Sequence, residues 1–263
     1  MNYFAEGLQG SGKSTLVGML SERNSGYRVF REGDYSPVEL AWCAYVSNDK
    51  YRDILEKYSE LKERIKENSH AEGGHTVICY TRVMTDNRAF YNDLEQYEIY
   101  NGRLRPDEFD KLVLDRFGTW RGENQIFECS LFQNIVEDMM LFRCMTDKEI
   151  KAFYSKVRKA LEGREYRILY LRSGDVEKTI SHVRSERTDD KGNEVWFGQL
   201  LGFFDSCPYS RANGKSGADD LIKHLIRRQE LEIELCNEIF RDKAVILDSK
   251  SDNLAERIKE ICG

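Results

Sequence analysis

A glycine-rich segment near the start of the chain contains the residues best suited to chemistry. The residues that fit the pattern Gly-x-x-x-x-Gly-Lys-Ser/Thr are Gly7, Gly12, Lys13 and Ser14. Glycines in this arrangement let consecutive backbone N–H groups turn inward around a phosphate, and the helix that follows adds the positive end of its dipole. The segment lies between a short apolar run and a helical pattern, as such a loop requires. We therefore predict that residues 7–15 bind the phosphates of a nucleoside triphosphate.

The polar residues of this loop have distinct expected roles. Lys13 is expected to reach the β- and γ-phosphates, while the hydroxyl of Ser14 supplies one oxygen ligand to Mg²⁺. Gly10, Ser11 and Thr15 complete the predicted binding loop, with Thr15 near the α-phosphate. ATP and Mg²⁺ are the predicted cofactors. The alternative interpretation is a glycine-rich turn that matches the pattern by coincidence.

Two acidic residues that follow strand-like runs are candidate catalytic carboxylates. Glu32 comes shortly after residues 27–30, where a carboxylate would orient an acceptor hydroxyl and take its proton. Glu128 ends the run that begins at residue 125, where a second Mg²⁺-organising carboxylate would lie beside the phosphate loop. The alternatives are a solvated Glu-Gly-Asp turn for Glu32 and a helix cap for Glu128.

A charged segment after residue 171 has the composition of a lid over a nucleotide. It covers about residues 178–194 and contains Arg184 and Arg187. Arginines placed over a γ-phosphate stabilise charge on the transferring group, and closure of such a lid excludes water. The alternative is a helix face whose charges simply meet solvent.

The elements that must position these residues can be predicted from short apolar runs. The runs with the composition of buried parallel strands are residues 3–5, 27–30, 125–127, 168–171 and 244–247. Helical patterns separate them, which predicts an α/β protein with a P-loop NTPase fold, its five-stranded parallel sheet flanked by helices. Residues 76–80 are a further candidate strand.

The stretch between the second strand and residue 120 is too long for a simple crossover. Its charge and helical spacing predict a helical insertion at about residues 35–120 within a single domain spanning residues 1–263. An insertion after the second strand lies at the carboxyl edge of the sheet, where open α/β folds bind ligands. We expect it to bind the acceptor. Its aromatic residues either line that pocket or pack a core: Trp42, Tyr45, Phe90, Tyr91 and Tyr97.

Composition limits the classes of partner and compartment. The net charge is -6, with 40 basic and 46 acidic residues, and no block of Lys and Arg indicates a nucleic-acid partner. No apolar run is long enough for a membrane span. Seven scattered cysteines suggest neither a disulfide framework nor a zinc site. These features predict a cytoplasmic protein whose partner is a small-molecule phosphoryl acceptor, and a homodimer is compatible with them.

Three segments of the chain share patterns with a known group of enzymes. They are residues 4–15, Arg31-Glu32-Gly33 and Glu128-Cys129-Ser130. They resemble the thymidylate kinase and deoxynucleoside kinase group, in which the second and third segments read Arg-Glu-Pro and Glu-Arg-Ser. The resemblance implies a P-loop kinase that uses ATP and Mg²⁺, with Glu32 toward the acceptor and Glu128 on the metal side.

Cys129 departs from this family pattern, because the family has an arginine there. The absence of this arginine removes a positive charge that would hold an acceptor phosphate or hydroxyl, which argues against a nucleoside or nucleotide acceptor. The chain is also similar to bacterial predicted P-loop kinases of unknown acceptor, which share Glu32-Gly33-Asp34 and residues 37–42.

Three hypotheses about function follow from these residues. The first is a kinase that transfers the γ-phosphoryl group of ATP to a small-molecule hydroxyl or phosphate. The second is an ATP-dependent switch with a protein partner, in which slow hydrolysis resets the state. The third is an antibiotic-modifying phosphotransferase, which uses the same chemistry on an exogenous acceptor.

Overall fold

The computed structural model of the chain describes residues 1–23, 25–251 and 253–262. The chain forms two compact units. The core unit comprises Met1–Val29 and Arg121–Gly263, and the inserted unit comprises Phe30–Trp120. The insertion predicted at about residues 35–120 lies inside the inserted unit.

The described residues form strands and helices in alternation along much of the chain. The strands are β1 (Asn2–Gly7), β2 (Arg28–Phe30), β3 (Ala44–Ser47), β4 (Ser69–Glu72), β5 (His75–Ile78), β6 (Gln125–Glu128), β7 (Tyr166–Arg172) and β8 (Ala244–Asp248). The helices are α1 (Lys13–Arg23), α2 (Asn48–Lys57), α3 (Lys62–Glu67), α4 (Arg88–Glu95), α5 (Pro106–Thr119), α6 (Gln133–Leu141), α7 (Asp147–Ala160), α8 (Val176–Glu186), α9 (Val195–Ser206), α10 (Pro208–Asn213), α11 (Gly217–Glu238) and α12 (Leu254–Cys262). Two short 3-10 helices cover Ser59–Leu61 and Tyr80–Arg82.

The main sheet has five strands in the order β2-β6-β1-β7-β8. β1 runs parallel to β6 and β7, and β7 runs parallel to β8. Parallel neighbours end at the same edge of a sheet, so Gly7, Glu128, Arg172 and Asp248 all lie where their strands reach the carboxyl edge. The predicted α/β class and five-stranded parallel sheet with flanking helices are confirmed.

Apolar side chains on both faces of β1 hold the helices against this sheet. Tyr3 and Ala5 belong to a buried cluster that includes Leu16 of α1 and Ile258 of α12. Successive strand residues point to opposite faces, so Phe4 packs on the other side, where its ring lies 4.9 Å from that of Phe127. Burial of each such side chain contributes about 1.5–3 kcal/mol to the free energy of unfolding. The sheet edge is therefore held on a rigid base.

The inserted unit has a core and a sheet of its own. Its strands β3, β5 and β4 form an antiparallel sheet in that order. Buried residues from its helices and strands, including Ile54, Ile65, Ile78 and Leu94, pack into one cluster. The prediction of a helical insertion is thus correct only in part, because this sheet stands beside the helices. The candidate strand at residues 76–80 overlaps β5 of this second sheet, which ends at Ile78.

The aromatic residues of the inserted unit mostly pack its core. Phe90 is fully buried, and Tyr91 and Tyr97 pack against the same cluster. Tyr45 stacks on a histidine of β5 with ring centroids 4.5 Å apart. Trp42 is the exception, with half of its surface exposed. The structure favours the core interpretation of this set over the pocket interpretation.

Two further features of the described residues bear on the predictions from composition. None of their helices combines the length and apolar character needed to cross a membrane. The cysteines with described side chains are unbridged, and five of them are buried: Cys43, Cys79, Cys129, Cys207 and Cys236.

Candidate functional site

The loop between β1 and α1 has a backbone that only glycine adopts readily. Gly7, Gly10 and Gly12 have φ angles of 137°, 77° and 95°. A Cβ atom on Gly7 would lie 2.5 Å from the carbonyl oxygen of Leu171, so β7 passes too close for any side chain. A Cβ on Gly12 would meet no described atom within 4 Å, which leaves room for a phosphate beside the loop. These conformations are the reason for the glycine spacing in the sequence.

Lys13 is folded back over this loop. Its Nζ donates hydrogen bonds to the carbonyl oxygens of Gly7 at 2.7 Å and Leu8 at 2.8 Å. Only 7% of the residue is exposed. The ammonium group is therefore held over the loop by backbone carbonyl groups, and its contact with the β- and γ-phosphates of a nucleotide stays a prediction.

The structure brings Ser14 and Glu128 together. The Ser14 hydroxyl, in the first turn of α1, donates a hydrogen bond to Glu128 Oε1 at 2.5 Å. Glu128 ends β6, the neighbour of β1, so the parallel register places its carboxylate next to the loop. A hydroxyl and a carboxylate are both oxygen ligands of the kind that Mg²⁺ prefers. Thr15 follows as an exposed residue of the same turn.

The described residues contain no cluster of three or more His, Cys, Asp or Glu side chains that could hold a metal by itself. A cation at Ser14 and Glu128 would need phosphate and water oxygens to complete its coordination, which is the usual arrangement for Mg²⁺ at a nucleotide. Ser11 Oγ fits the same ligand, because it is buried and has no hydrogen-bond partner in the described residues. The residues present thus fit a Mg²⁺-bound triphosphate.

Glu6 is a buried acid next to the loop to which the sequence analysis assigned no role. It accepts hydrogen bonds from the backbone N–H groups of Leu131 at 2.7 Å and Phe132 at 3.2 Å. Burial, opposed by the Leu131 bond, raises the pKa of Glu6 to about 8. Glu6 thereby ties β1 to the segment that follows Glu128. The sequence did contain a signal for Glu6, because it is an acid within an apolar run directly before the glycine loop.

A buried arginine also contacts the loop, and the sequence analysis missed it. Arg228 of α11 is fully buried and donates to Gln9 Oε1 in the loop at 2.9 Å and to Glu137 Oε2 of α6 at 2.8 Å. It also lies 3.3 Å from Glu232. Although burial opposes ionisation, the charge of Arg228 helps to bring the pKa of Glu137 down to about 2. Arg228 thus supports the loop from the side of α11.

Helix α8, the start of the predicted lid, packs directly on the loop. A Cβ on Gly10 would collide with the side chain of Val183 and come within 3.3 Å of Thr179 Cγ2. The hydroxyls of Thr179 and Ser173 are joined by a 2.7 Å hydrogen bond, which links this helix to the end of β7. The absence of a side chain at Gly10 therefore allows the close approach of α8.

The predicted lid arginines are held by residues at the start of α9. Arg184 donates two hydrogen bonds to Glu194, at 3.1 Å and 2.7 Å, and its guanidinium lies 4.0 Å from the centroid of the Phe197 ring. Arg187 stacks on Trp196 at 4.9 Å. In this conformation both arginines are engaged by the end of the lid segment and the first turn of α9.

The turn after β8 reaches the loop through a serine. The Ser249 hydroxyl donates a 2.6 Å hydrogen bond to the carbonyl oxygen of Ser11. This turn comprises residues 248–252, at the carboxyl end of β8. One member of that turn, Asp252, lies outside the described residues.

Glu32 belongs to the inserted unit. It is exposed in a turn just after β2, where Asp34 accepts a 2.7 Å hydrogen bond from the backbone N–H of Arg31 and pairs with Arg82. Farther along the unit, burial raises the pKa of Glu39 to about 8, with the charge of Glu32 adding to the rise. Glu32 is thus the more accessible of these two acids.

Comparisons with known proteins give little guidance. No protein-family model and no curated protein matches the chain. Among solved structures, it is similar to the shikimate kinase from Bacteroides thetaiotaomicron, with 11% identity and a TM-score of 0.34 over 100% of this chain and 98% of that one. A similarity of this size supports no argument about fold or activity.

Proposed function

We propose that the chain is a P-loop kinase that transfers the γ-phosphoryl group of ATP to a hydroxyl or phosphate of a small molecule. The observation that carries the proposal is the pairing of Ser14 with Glu128 at 2.5 Å beside a loop over which Lys13 is held. A phosphate cradle, a buried cation and a carboxylate on the neighbouring strand are the parts that phosphoryl transfer needs. Positioning and electrostatics supply most of the catalysis in such reactions.

The loop binds the triphosphate in this proposal. Its backbone N–H groups and the N-terminus of α1 face the β-phosphate, and Ser11 Oγ donates to a phosphate oxygen. Lys13 exchanges its bonds to the Gly7 and Leu8 carbonyls for bonds to the β- and γ-phosphates. Since an ammonium bonds a charged oxygen more strongly than a carbonyl, this exchange favours the bound state.

Ser14 and Glu128 would hold Mg²⁺ beside the phosphates. The ion, when bound, neutralises charge on the phosphate oxygens. Glu128 keeps the Ser14 hydroxyl oriented through their hydrogen bond, and Glu6 keeps the segment after Glu128 in place through two backbone N–H groups. Glu6 acts through these backbone groups and not on the phosphates, so it is a positioning residue.

The lid arginines act after a local rearrangement. The bond between Arg184 and Glu194 is partly exposed, with about a third of the arginine side chain accessible. An ion pair of this kind contributes only about 0–1 kcal/mol to stability, so little free energy is lost when a phosphate contact replaces it. Because α8 already packs on Gly10, closure needs motion mainly of Arg184, Arg187 and the turn after α8. Such closure excludes water and favours transfer over hydrolysis.

The acceptor is bound, in this proposal, by the inserted unit, with Glu32 as the base. Glu32 is exposed after the second strand, so it is accessible to a hydroxyl. A nucleoside is the less favoured acceptor, since Cys129 stands where the thymidylate kinase and deoxynucleoside kinase group has an arginine. Cys129 is itself buried, 3% exposed, and its backbone N–H bonds the Ala5 carbonyl oxygen.

The test is incubation with labelled ATP, Mg²⁺ and a metabolite library that includes aminoglycosides and other antibiotics, followed by mass detection of phosphorylated products. We expect one product class to form, and to be reduced at least about tenfold in Glu32→Gln at unchanged ATP affinity. A phosphorylated antibiotic alone would assign the exogenous acceptor. Turnover that no pool raises above basal hydrolysis, with a nucleotide-dependent protein pull-down, would favour the switch instead.

A further inference from the structure

A cavity lies in the core unit, apart from the phosphate loop. Its volume is about 490 Å³, which is within the usual range for small-molecule sites. It is lined by the end of α6 and the turn after it, by the start of α7, by α9 and α10, and by the first half of α11. The residues of the phosphate loop, together with Glu128, are not part of its lining. It is therefore separate from the nucleotide site described above.

The lining combines an apolar wall with a positively charged rim. Met140, Met145 and Phe204 supply the wall. Three cations line the rim, Lys215, Lys223 and Arg227, against the two carboxylates Asp147 and Asp220, which leaves a net charge of +1 from 3 − 2. An apolar body with one negative group matches this arrangement.

Arg227 is paired with Asp147, but the two lysines are not tightly satisfied by the rim carboxylates. Lys215 and Lys223 both approach Asp220, at 3.7 Å and 3.5 Å, so two ammonium groups share one carboxylate. Lys223 is 73% exposed, and an exposed pair of this length contributes little to stability. A bound anion could therefore contact a lysine without the loss of a strong ion pair.

One lining residue leads directly to the phosphate loop. His224 lies near the rings of Phe204 and Tyr209, with centroids 5.6 Å and 6.4 Å away, and its Nε2 is 3.1 Å from Glu137 Oε2. The same Glu137 oxygen accepts from Arg228 at 2.8 Å, and Arg228 donates to Gln9 of the loop at 2.9 Å. A continuous buried polar chain thus joins the cavity wall to the nucleotide site.

We propose that this cavity is an effector site for a small organic anion with an apolar, preferably aromatic, body, and that its occupancy changes nucleotide affinity through His224, Glu137, Arg228 and Gln9. The apolar body lies against Met140, Met145 and Phe204, and the anionic group faces Lys215 and Lys223. The effector role rests on nucleotide binding at the loop, which belongs to the proposed function. Binding of the anion itself does not.

The first test uses anilinonaphthalene sulfonate, an aromatic anion that fluoresces in apolar sites, with the chain of 263 residues. We expect saturable binding that Lys223→Glu weakens at least about tenfold, because it reverses a rim charge. Asn213→Trp, an exposed lining position, should also block it by filling the cavity. Lys148→Glu is the matched control, an exposed lysine outside the lining, and should bind as wild type. Binding that survives both lining variants overturns the site.

The second test measures coupling. ATP affinity with and without saturating probe should differ about fivefold or more, and ATP should change the probe's affinity by the same factor. His224→Phe keeps the ring but removes the bond to Glu137, so it should retain probe binding and lose the coupling. Equal ATP affinity with and without probe overturns the effector role. A dissociation constant of the probe that keeps rising in proportion to the ATP concentration also overturns it. Such a rise indicates direct competition for one site, whereas coupling between two sites reaches a limit.

The two proposals fail in different ways. A chain that binds ATP and couples it to the probe, but phosphorylates no acceptor, contradicts the kinase and supports the effector site. A chain that phosphorylates an acceptor while the probe binds equally to wild type, Lys223→Glu and Asn213→Trp supports the kinase and contradicts the effector site.

Discussion

At the scale of single residues, a few polar groups lie together at one edge of the main sheet. Lys13, Ser14 and Glu128 were predictable, because a fixed loop pattern and a strand ending in an acid are local features of the sequence. Arg228 was not, since its contact with Gln9 joins positions 219 residues apart. Such a contact depends on how α11 packs against the loop, and no spacing along the chain encodes it.

Replacement of Lys13 by alanine tests the phosphate loop. The change removes the charge that would bind the β- and γ-phosphates, so ATP should no longer stabilise the protein. Wild type at 100 times its dissociation constant should gain about 2.7 kcal/mol in the free energy of unfolding, and Lys13→Ala close to none. Thermal unfolding with and without Mg²⁺-ATP measures this gain. The exposed Lys148→Ala should respond as wild type, and undiminished stabilisation of Lys13→Ala would contradict the nucleotide site.

Replacement of Glu128 by glutamine tests the metal role. The amide can still accept the hydrogen bond from Ser14 but has no charge for Mg²⁺. We expect ATP affinity in the presence of Mg²⁺ to fall about 10- to 100-fold, with affinity in a chelator unchanged. Titration calorimetry in both buffers gives the comparison. The exposed Glu123→Gln should leave both values unchanged; an equal loss in both buffers would assign Glu128 a purely structural role.

At the scale of elements, the main sheet was more predictable than the inserted one. Each strand of the main sheet is a short apolar run between helical patterns. The inserted sheet carries a signal that was overlooked: Gly73 and Gly74 separate β4 and β5, and two glycines between strands are typical of a hairpin. Strand β4, Ser69–Glu72, is polar and only partly buried, so its sequence lacks the apolar run that predicts a strand. Charge and aromatic content in the surrounding residues favoured helices.

The contact between α8 and the loop gives an element-scale prediction. Gly10→Ala should be destabilising for two reasons: φ is 77° there, and the new methyl would collide with Val183. Strain and overpacking together should cost about 2–4 kcal/mol. The Gly10→Ala/Val183→Ala double variant should recover the packing part, so that the two changes are non-additive by about 1–2 kcal/mol.

Urea unfolding of the two single variants and the double variant measures this coupling. Gly18→Ala is a suitable control, because Gly18 lies inside α1 and a Cβ there would meet no described atom within 4 Å. It should be neutral or stabilising. Additive effects of Gly10→Ala and Val183→Ala would show that α8 does not rest on the loop.

At the scale of the whole molecule, each unit buries an acid that resists ionisation. Burial raises the pKa values of Glu6 in the core unit and Glu39 in the inserted unit to about 8, from ordinary values near 4.5. Composition could not predict this, because a total of 46 acidic residues does not reveal which are buried. The burial follows from their places, inside β1 and in the segment after β2.

These two acids make the stability of the protein fall as pH rises. Below pH 4.5 both the folded and the unfolded chain hold the two protons. Between about 4.5 and 8 only the folded chain does, so each rise in pH favours unfolding, and above about 8 the loss is complete. The loss amounts to a few kcal/mol for each acid, on the order of 1.4 kcal/mol per pKa unit.

Glu6→Gln removes one of these two protons, so the free energy of unfolding should fall less steeply with pH, even if the variant is more or less stable than wild type at every pH. Glu39→Gln should have the same effect on the slope. Urea unfolding at intervals from pH 5 to 9 measures the slopes, with the exposed Glu123→Gln keeping the wild-type slope; a wild-type profile that is flat or rises over this range would contradict the burial of both acids as neutral groups.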